Sequence, residues 1–124
     1  MTSETTTTPD VAARVRVALA AAEDRKALDL KVLDLDSISD FTEYFVICSG
    51  SNERQVQAIA DGILRELRSA GQRPLHVEGL RQGSWILLDF GSLIVHVFHQ
   101  ETRAFYALER LWSDAQDVTQ SLAG

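Results

Sequence analysis

Apolar positions along the chain fall into two helical stripes and several short strand-like runs. The clearest stripe is Val56, Ile59, Ala60, Ile63, Leu64 and Leu67. These residues follow the i, i+3, i+4, i+7 spacing of one helix face, so an amphipathic helix is predicted there. Ser51 stands where it can cap the start, Glu53 lies in the first turn and Gly71 can end the helix. A thinner stripe, Val11, Val15, Ala18, Leu19 and Ala22, follows Thr8-Pro9-Asp10, which supplies the hydroxyl, proline and acid of a helix start. Its alanines predict shallow packing. A last helix is predicted from about Thr102, with Phe105, Leu108, Leu111 and Trp112 on its inner face.

Strand signals lie between these helices. Residues 30–35 and 44–49 are rich in aliphatic, β-branched and aromatic residues. Asp36-Ser37-Ile38-Ser39-Asp40 reads as a turn, and Gly50-Ser51 breaks the second strand. Leu75-His76-Val77 predicts a short strand, followed by a two-glycine loop over 78–83. Trp85 to Asp89 and Leu93 to Phe98 predict a hairpin through Phe90-Gly91-Ser92. Both of its strands are apolar at nearly every position, so both faces are expected to be covered. The order helix, strand, strand, helix, three strands, helix predicts one α/β domain with a mixed sheet and helices packed on it. That domain is expected over residues 9–113, between a disordered tail at 1–8 and a polar, fraying tail at 114–124.

The bulk properties narrow the partners. A chain of 124 residues, 45% hydrophobic and 24% charged, is sized for one core. Its net charge of -6 argues against direct binding of nucleic-acid phosphates and favours basic protein partners. No apolar run has membrane-spanning length, and the first residues lack the basic-then-apolar pattern of a secretory signal, so a cytoplasmic location is expected. The single cysteine, Cys48, permits no internal disulfide and no cysteine metal site; it is expected to be a small buried hydrophobe.

Chemistry-bearing residues are few. Asp34 and Asp36 stand two apart, a spacing that turns two carboxylates toward one divalent ion. Gly50-Ser51 at a strand-to-helix turn suits a phosphate on backbone N–H groups. Together they suggest a nucleotidyltransferase, but the same residues are ordinary turn and cap formers, and no lysine lies in the Gly50 loop to meet a phosphate. His96 and His99 are three apart on a strand, hence on opposite faces and poor joint metal ligands. His96 is read as a buried imidazole with Asp89 as its candidate partner. No serine sits in a Gly-x-Ser-x-Gly elbow. No catalytic residue, metal ligand or cofactor is therefore expected. Trp85, Tyr106 and Trp112 remain as large amphipathic side chains. Trp112 fits the inner stripe of the last helix, Tyr106 lies beside that stripe, and Trp85 at a strand start is open to two readings, contact surface or core.

The chain resembles the ribosomal silencing factors, also called Iojap-like proteins. The resemblance is carried by Ile38-Ser39-Asp40, Tyr44 to Asn52, Arg54-Gln55-Val56, Ala58-Ile59-Ala60, Val77-Glu78-Gly79, Trp85 to Gly91, Val95-His96-Val97-Phe98 and Arg103 to Trp112, and it covers about Val11 to Trp112. The link Asp40-Phe41-Thr42-Glu43-Tyr44 runs slightly longer than the family pattern. The resemblance implies a pared-down nucleotidyltransferase-like fold without activity. It implies binding to the large ribosomal subunit through its fourteenth protein, which keeps the small subunit from joining and lowers translation when nutrients are scarce. It also implies a homodimer, and a contact surface at Trp85, Ile86 and Leu87 with Arg103 and Tyr106 nearby.

Overall fold

A computed structural model describes residues 10–36, 38–101 and 115–123. Helix α1 (Val11–Asp24) leads into β1 (Leu28–Asp34) and β2 (Tyr44–Gly50). Helix α2 (Glu53–Ser69) then precedes β3 (His76–Glu78), β4 (Trp85–Asp89) and β5 (Leu93–His99). The last described elements are β6 (Gln116–Asp117) and a short helix, α3 (Thr119–Ala123). The expected tail at 1–8, the Thr8-Pro9 helix start and the predicted last helix, with Arg103, Phe105, Tyr106, Leu108, Arg110, Leu111 and Trp112, lie outside the described residues.

The strands form one six-stranded mixed sheet in the order β3-β4-β5-β2-β1-β6. β2 and β5 pair in parallel along their full lengths, from Tyr44 opposite Leu93 to Gly50 opposite His99. The remaining pairs are antiparallel. A parallel pair needs a crossover, and here α2 together with the β3–β4 hairpin edge provides it. Side chains alternate across the sheet. Val32, Val46, Cys48, Ile86, Leu88, Val95 and Val97 point to the face packed by α1, α2 and Leu122 of α3. Leu33, Phe45, Ile47, Ile94 and Phe98 point to the other, where they form a second apolar cluster with Leu35. No helical residue among the described ones belongs to that second cluster.

Local chemistry explains the element ends. The amphipathic stripe forms α2 as predicted, with Val56, Ile59, Ala60, Ile63 and Leu67 buried. Its cap is Asn52 rather than Ser51: the Asn52 Oδ1 accepts from the Gln55 N–H at 2.8 Å. Gly71 adopts φ +86 just past the helix, the left-handed position that glycine fills without strain. Gly50 does not break β2 but closes its ladder opposite His99. A Cβ on Gly50 would stand 2.9 Å from both the Val56 Cγ2 and the Val56 backbone nitrogen, so this position is small because α2 starts against it. Ala18, Ala21 and Ala22 are buried, and they let α1 lie close along α2.

Three further expectations are corrected. β3 is shifted by one residue, and Leu75 is left 76% exposed with its N–H on the Asp89 carbonyl. Of the hairpin, β5 is buried throughout up to His99, but β4 alternates and is not covered on both faces. The C-terminal stretch does not simply fray. Gln116 and Asp117 pair with Asp34 and Leu33, and Leu122 enters the core. Asp117 accepts from the Thr119 N–H and hydroxyl, which holds its carboxyl below the usual range, and the same hydroxyl accepts from the Val32 N–H at 2.9 Å. A polar sequence therefore docks by hydrogen bonds rather than by an apolar stripe.

Replacing Gly50 with alanine is expected to lower unfolding stability by about 1–3 kcal/mol, an overpacking cost. Urea denaturation measures it; a variant as stable as wild type contradicts the close β2–α2 approach.

Candidate functional site

On the sheet face without a described helix, aromatic rings run in file across the strands. Phe41 lies 6.4 Å from Phe45 between ring centroids. Phe45 meets His96 edge-on at 4.8 Å. His96 stands 6.0 Å from Trp85, and Trp85 stacks on Phe98 at 5.2 Å. The register makes this geometry, because Trp85 lies opposite Phe98 and Leu87 opposite His96. The middle of the file is buried, whereas Trp85 is 44% and Phe41 68% exposed at its two ends. Leu87, half-buried, packs beside it against the second apolar cluster.

Trp85 is held in place from three sides. Its indole Nε1–H donates to the His96 Nδ1 at 3.2 Å. Behind it, Gly79 at φ +80 lies so close that a Cβ would come within 2.0 Å of the Trp85 carbonyl oxygen, which only glycine accommodates. The loop from Gly79 to Ser84 is closed by the Gly83 N–H on the Gly79 carbonyl, and the Gln57 amide of α2 donates to the Leu80 and Arg81 carbonyls at 3.1 and 2.8 Å. The indole is thus a fixed amphipathic plate: one face on Phe98, the N–H satisfied, and the rest toward solvent.

Burial pushes the His96 imidazole down from its ordinary value to about 4. It is neutral at physiological pH, and acceptance at Nδ1 places its proton on Nε2. Asp89 is not its partner as expected; the Asp89 carboxylate instead accepts from the Gly91 N–H at 2.8 Å and shapes the hairpin turn. Around Phe41 the field is negative. Burial and the carboxylates of Asp34, Glu43, Asp10 and Asp36 raise the Tyr44 phenol.

The groups suited to nucleotidyl transfer are engaged elsewhere. The Asp34 carboxylate accepts from the Asp36 N–H at 3.0 Å, a local turn bond. The Ser51 N–H and hydroxyl both donate to the Gln55 Oε1, at 2.6 and 2.8 Å. Gln55 in turn donates from Nε2 to the Arg25 and Lys26 carbonyls, so the turn that suits a phosphate serves to tie α2 to the end of α1. Among the described residues no group of three His, Cys, Asp or Glu side chains could hold a metal ion. Cys48 is fully buried in the core.

Of the expected contact residues, Trp85 and Leu87 share the aromatic face. Ile86 does not: it is fully buried in the core on the opposite face and supports β4 from behind. Arg103 and Tyr106 lie outside the described residues. Phe41 and Phe45 were not singled out from sequence as contact residues. The available signal was a phenylalanine inside the acidic link Asp40-Phe41-Thr42-Glu43.

The sequence profile of the family described as "Ribosomal silencing factor during starvation" matches residues 8–123. A Bacillus subtilis (strain 168) protein named ribosomal silencing factor RsfS is 42% identical over 101 residues, which span 82% of this chain and 86% of that protein. A mouse protein named "Mitochondrial assembly of ribosomal large subunit protein 1" is 32% identical over 90 residues, 70% of this chain and 40% of that protein. Among solved structures, a Chromobacterium violaceum protein superposes with a TM-score of 0.81 at 30% identity, covering 85% of this chain and 88% of that one.

His96 has a depressed folded value, so its contribution to stability is complete above the ordinary 6.5 and is lost as pH falls toward 4. Between pH 7 and pH 4.5 the imidazole is expected to account for about 2 kcal/mol of lost stability. Denaturation curves of wild type and His96→Gln at both pH values isolate it; equal pH dependence in the two proteins refutes the buried neutral imidazole.

Proposed function

We propose that this chain, which belongs to the family of ribosomal silencing factors, acts by occlusion on the large ribosomal subunit. It docks on the fourteenth protein of that subunit, keeps the small subunit from joining and lowers translation when nutrients are scarce. The observation that carries this reading is Trp85, a rigid half-exposed indole at the edge of an apolar sheet face. Blocking requires an anchored surface and no reacting group. Aromatic anchors of this kind dominate protein interfaces.

Two further facts support it. The chain carries a net charge of -6, which suits a basic ribosomal protein better than RNA phosphates. A relative from mouse bears a name that concerns assembly of the large ribosomal subunit. Trp85 is the anchor and Leu87 flanks it, with Arg103 and Tyr106 completing the surface. Ile86 acts only by fixing β4. The protein works in the cytoplasm, where ribosomes are, and self-associates as a homodimer. Nucleotidyl transfer through Asp34, Asp36 and Gly50-Ser51 gains no support, because the Asp34 carboxylate is taken up by the Asp36 backbone N–H and the Ser51 N–H and hydroxyl by Gln55.

Trp85→Ala is expected to weaken binding to purified large subunits by about 2 kcal/mol, a hot-spot loss, while unfolding stays cooperative. Co-sedimentation with separated large and small subunits reads this out. Wild-type protein that stays in the supernatant, or a variant that pellets as wild type does, overturns the reading.

A further inference from the structure

The aromatic file has a second exposed end, and its surroundings differ from those of Trp85. Phe41 is the more exposed of the two terminal rings, at 68%. It lines an open cleft of about 260 Å³ with Asp36, Asp40, Glu43, Thr42 and Ser92. No lysine or arginine among the described residues lines this cleft, and its three carboxylates form no ion pair among the described residues. The loop is held by its backbone: the Leu35 N–H donates to the Glu43 carbonyl at 2.8 Å, and the Glu43 and Tyr44 N–H groups donate to the Ser92 carbonyl. Thr42 is buried, which anchors the loop next to Phe41 while the ring itself faces out.

A phenylalanine exposed beside three carboxylates that no described lysine or arginine pairs is a good arrangement for a cation with an apolar stem. The quadrupole of an aromatic ring attracts a guanidinium or ammonium over its face, and nearby carboxylates bind the same charge through hydrogen bonds. We propose that the Phe41 cleft receives an arginine or lysine side chain from the protein partner, its stem or guanidinium plane on the Phe41 ring and its charge among Asp36, Asp40 and Glu43. This rests on the docking reading above and extends it. The contact surface then runs along the whole aromatic file, with an indole anchor at one end and a cation receptor at the other. Charge complementarity selects the occupant. An RNA backbone is repelled by the same carboxylates, and an apolar helix leaves them desolvated without partners.

The test uses the full chain and purified large subunits, with affinity measured across a salt series for wild type, Phe41→Ala and the double variant D40N with E43Q. Phe41→Ala is expected to weaken binding about tenfold, a typical loss for an exposed interface aromatic. The double variant is expected to weaken binding and to flatten its salt dependence. Thermal unfolding of all three should coincide, because Phe41 and Asp40 are exposed and half-buried Glu43 holds the loop through its backbone. If both variants bind as wild type does while Trp85→Ala does not, the cation receptor is wrong and the silencing reading stands. If wild type itself fails to sediment with large subunits, both fall. Tighter binding by the double variant shows that phosphates face the cleft and overturns the proposal. So does a Phe41→Ala effect confined to self-association, which assigns the cleft to a second copy of this chain.

Discussion

Parallel pairing of β2 with β5 commits every side chain of the two central strands to one of two faces, and both the core and the surface follow from it. The register sets Phe45 against Ile94 and Ile47 against His96. A slip of one residue would exchange the helix-facing valines for the aromatic set. The β2–β5 pair is therefore the constraint that separates a core of aliphatic side chains under α1 and α2 from a file of rings on the opposite face. The antiparallel β4 then adds Trp85 to that file opposite Phe98.

The two faces have different physical characters. Beneath the helices, Val, Ile, Leu and Ala interdigitate in a dry core that tolerates little change in volume, as Gly50 against Val56 illustrates. On the other face, each ring has a polar neighbour or a solvent edge. His96 is the hinge of this arrangement. It packs between Phe45 and Phe98, yet accepts the indole hydrogen bond, and its burial keeps it neutral so that it remains an acceptor. A positively charged imidazole there would lose that acceptor and place a charge among rings. The exposure of Trp85 is accordingly not slack. It is a fixed projection from the sheet, so the proposed docking would carry a low ordering cost.

In the proposed docking, the negative surroundings of Phe41 and the apolar plate of Trp85 have different parts. Burial of an aromatic anchor would supply affinity, whereas carboxylates that no described lysine or arginine pairs would supply selectivity for cationic protein surfaces and rejection of phosphates. Both lie on one face because alternate positions in neighbouring strands share it. The glycine loop over 79–84, tied to α2 by Gln57, fixes where β4 begins.

Periodicity alone determined α2, the β4–β5 hairpin and β2, because each element buries enough of its own apolar residues to leave a 3.6-residue or continuous pattern. It also identified Cys48 as core and marked Trp85 as the residue needing explanation, since a large amphipathic side chain at a strand start has few bland positions. Three things were decided only by tertiary structure. Gln116 to Ala123 joined the sheet and core through the β6 ladder, the Val32 N–H donated to the Thr119 hydroxyl and one leucine, a docking that leaves no repeating signal. Ile86 went to the core while its neighbours Trp85 and Leu87 went to the aromatic face, because the pleat, and not local hydrophobicity, assigns faces. His96 took its bond from Trp85 instead of Asp89, since the cross-strand register brings the indole to Nδ1 while Asp89 is used in the turn beside it. Sequence carries the energy of burial residue by residue. Which faces meet, and which rings end in solvent, depends on pairings between distant strands that no local pattern encodes.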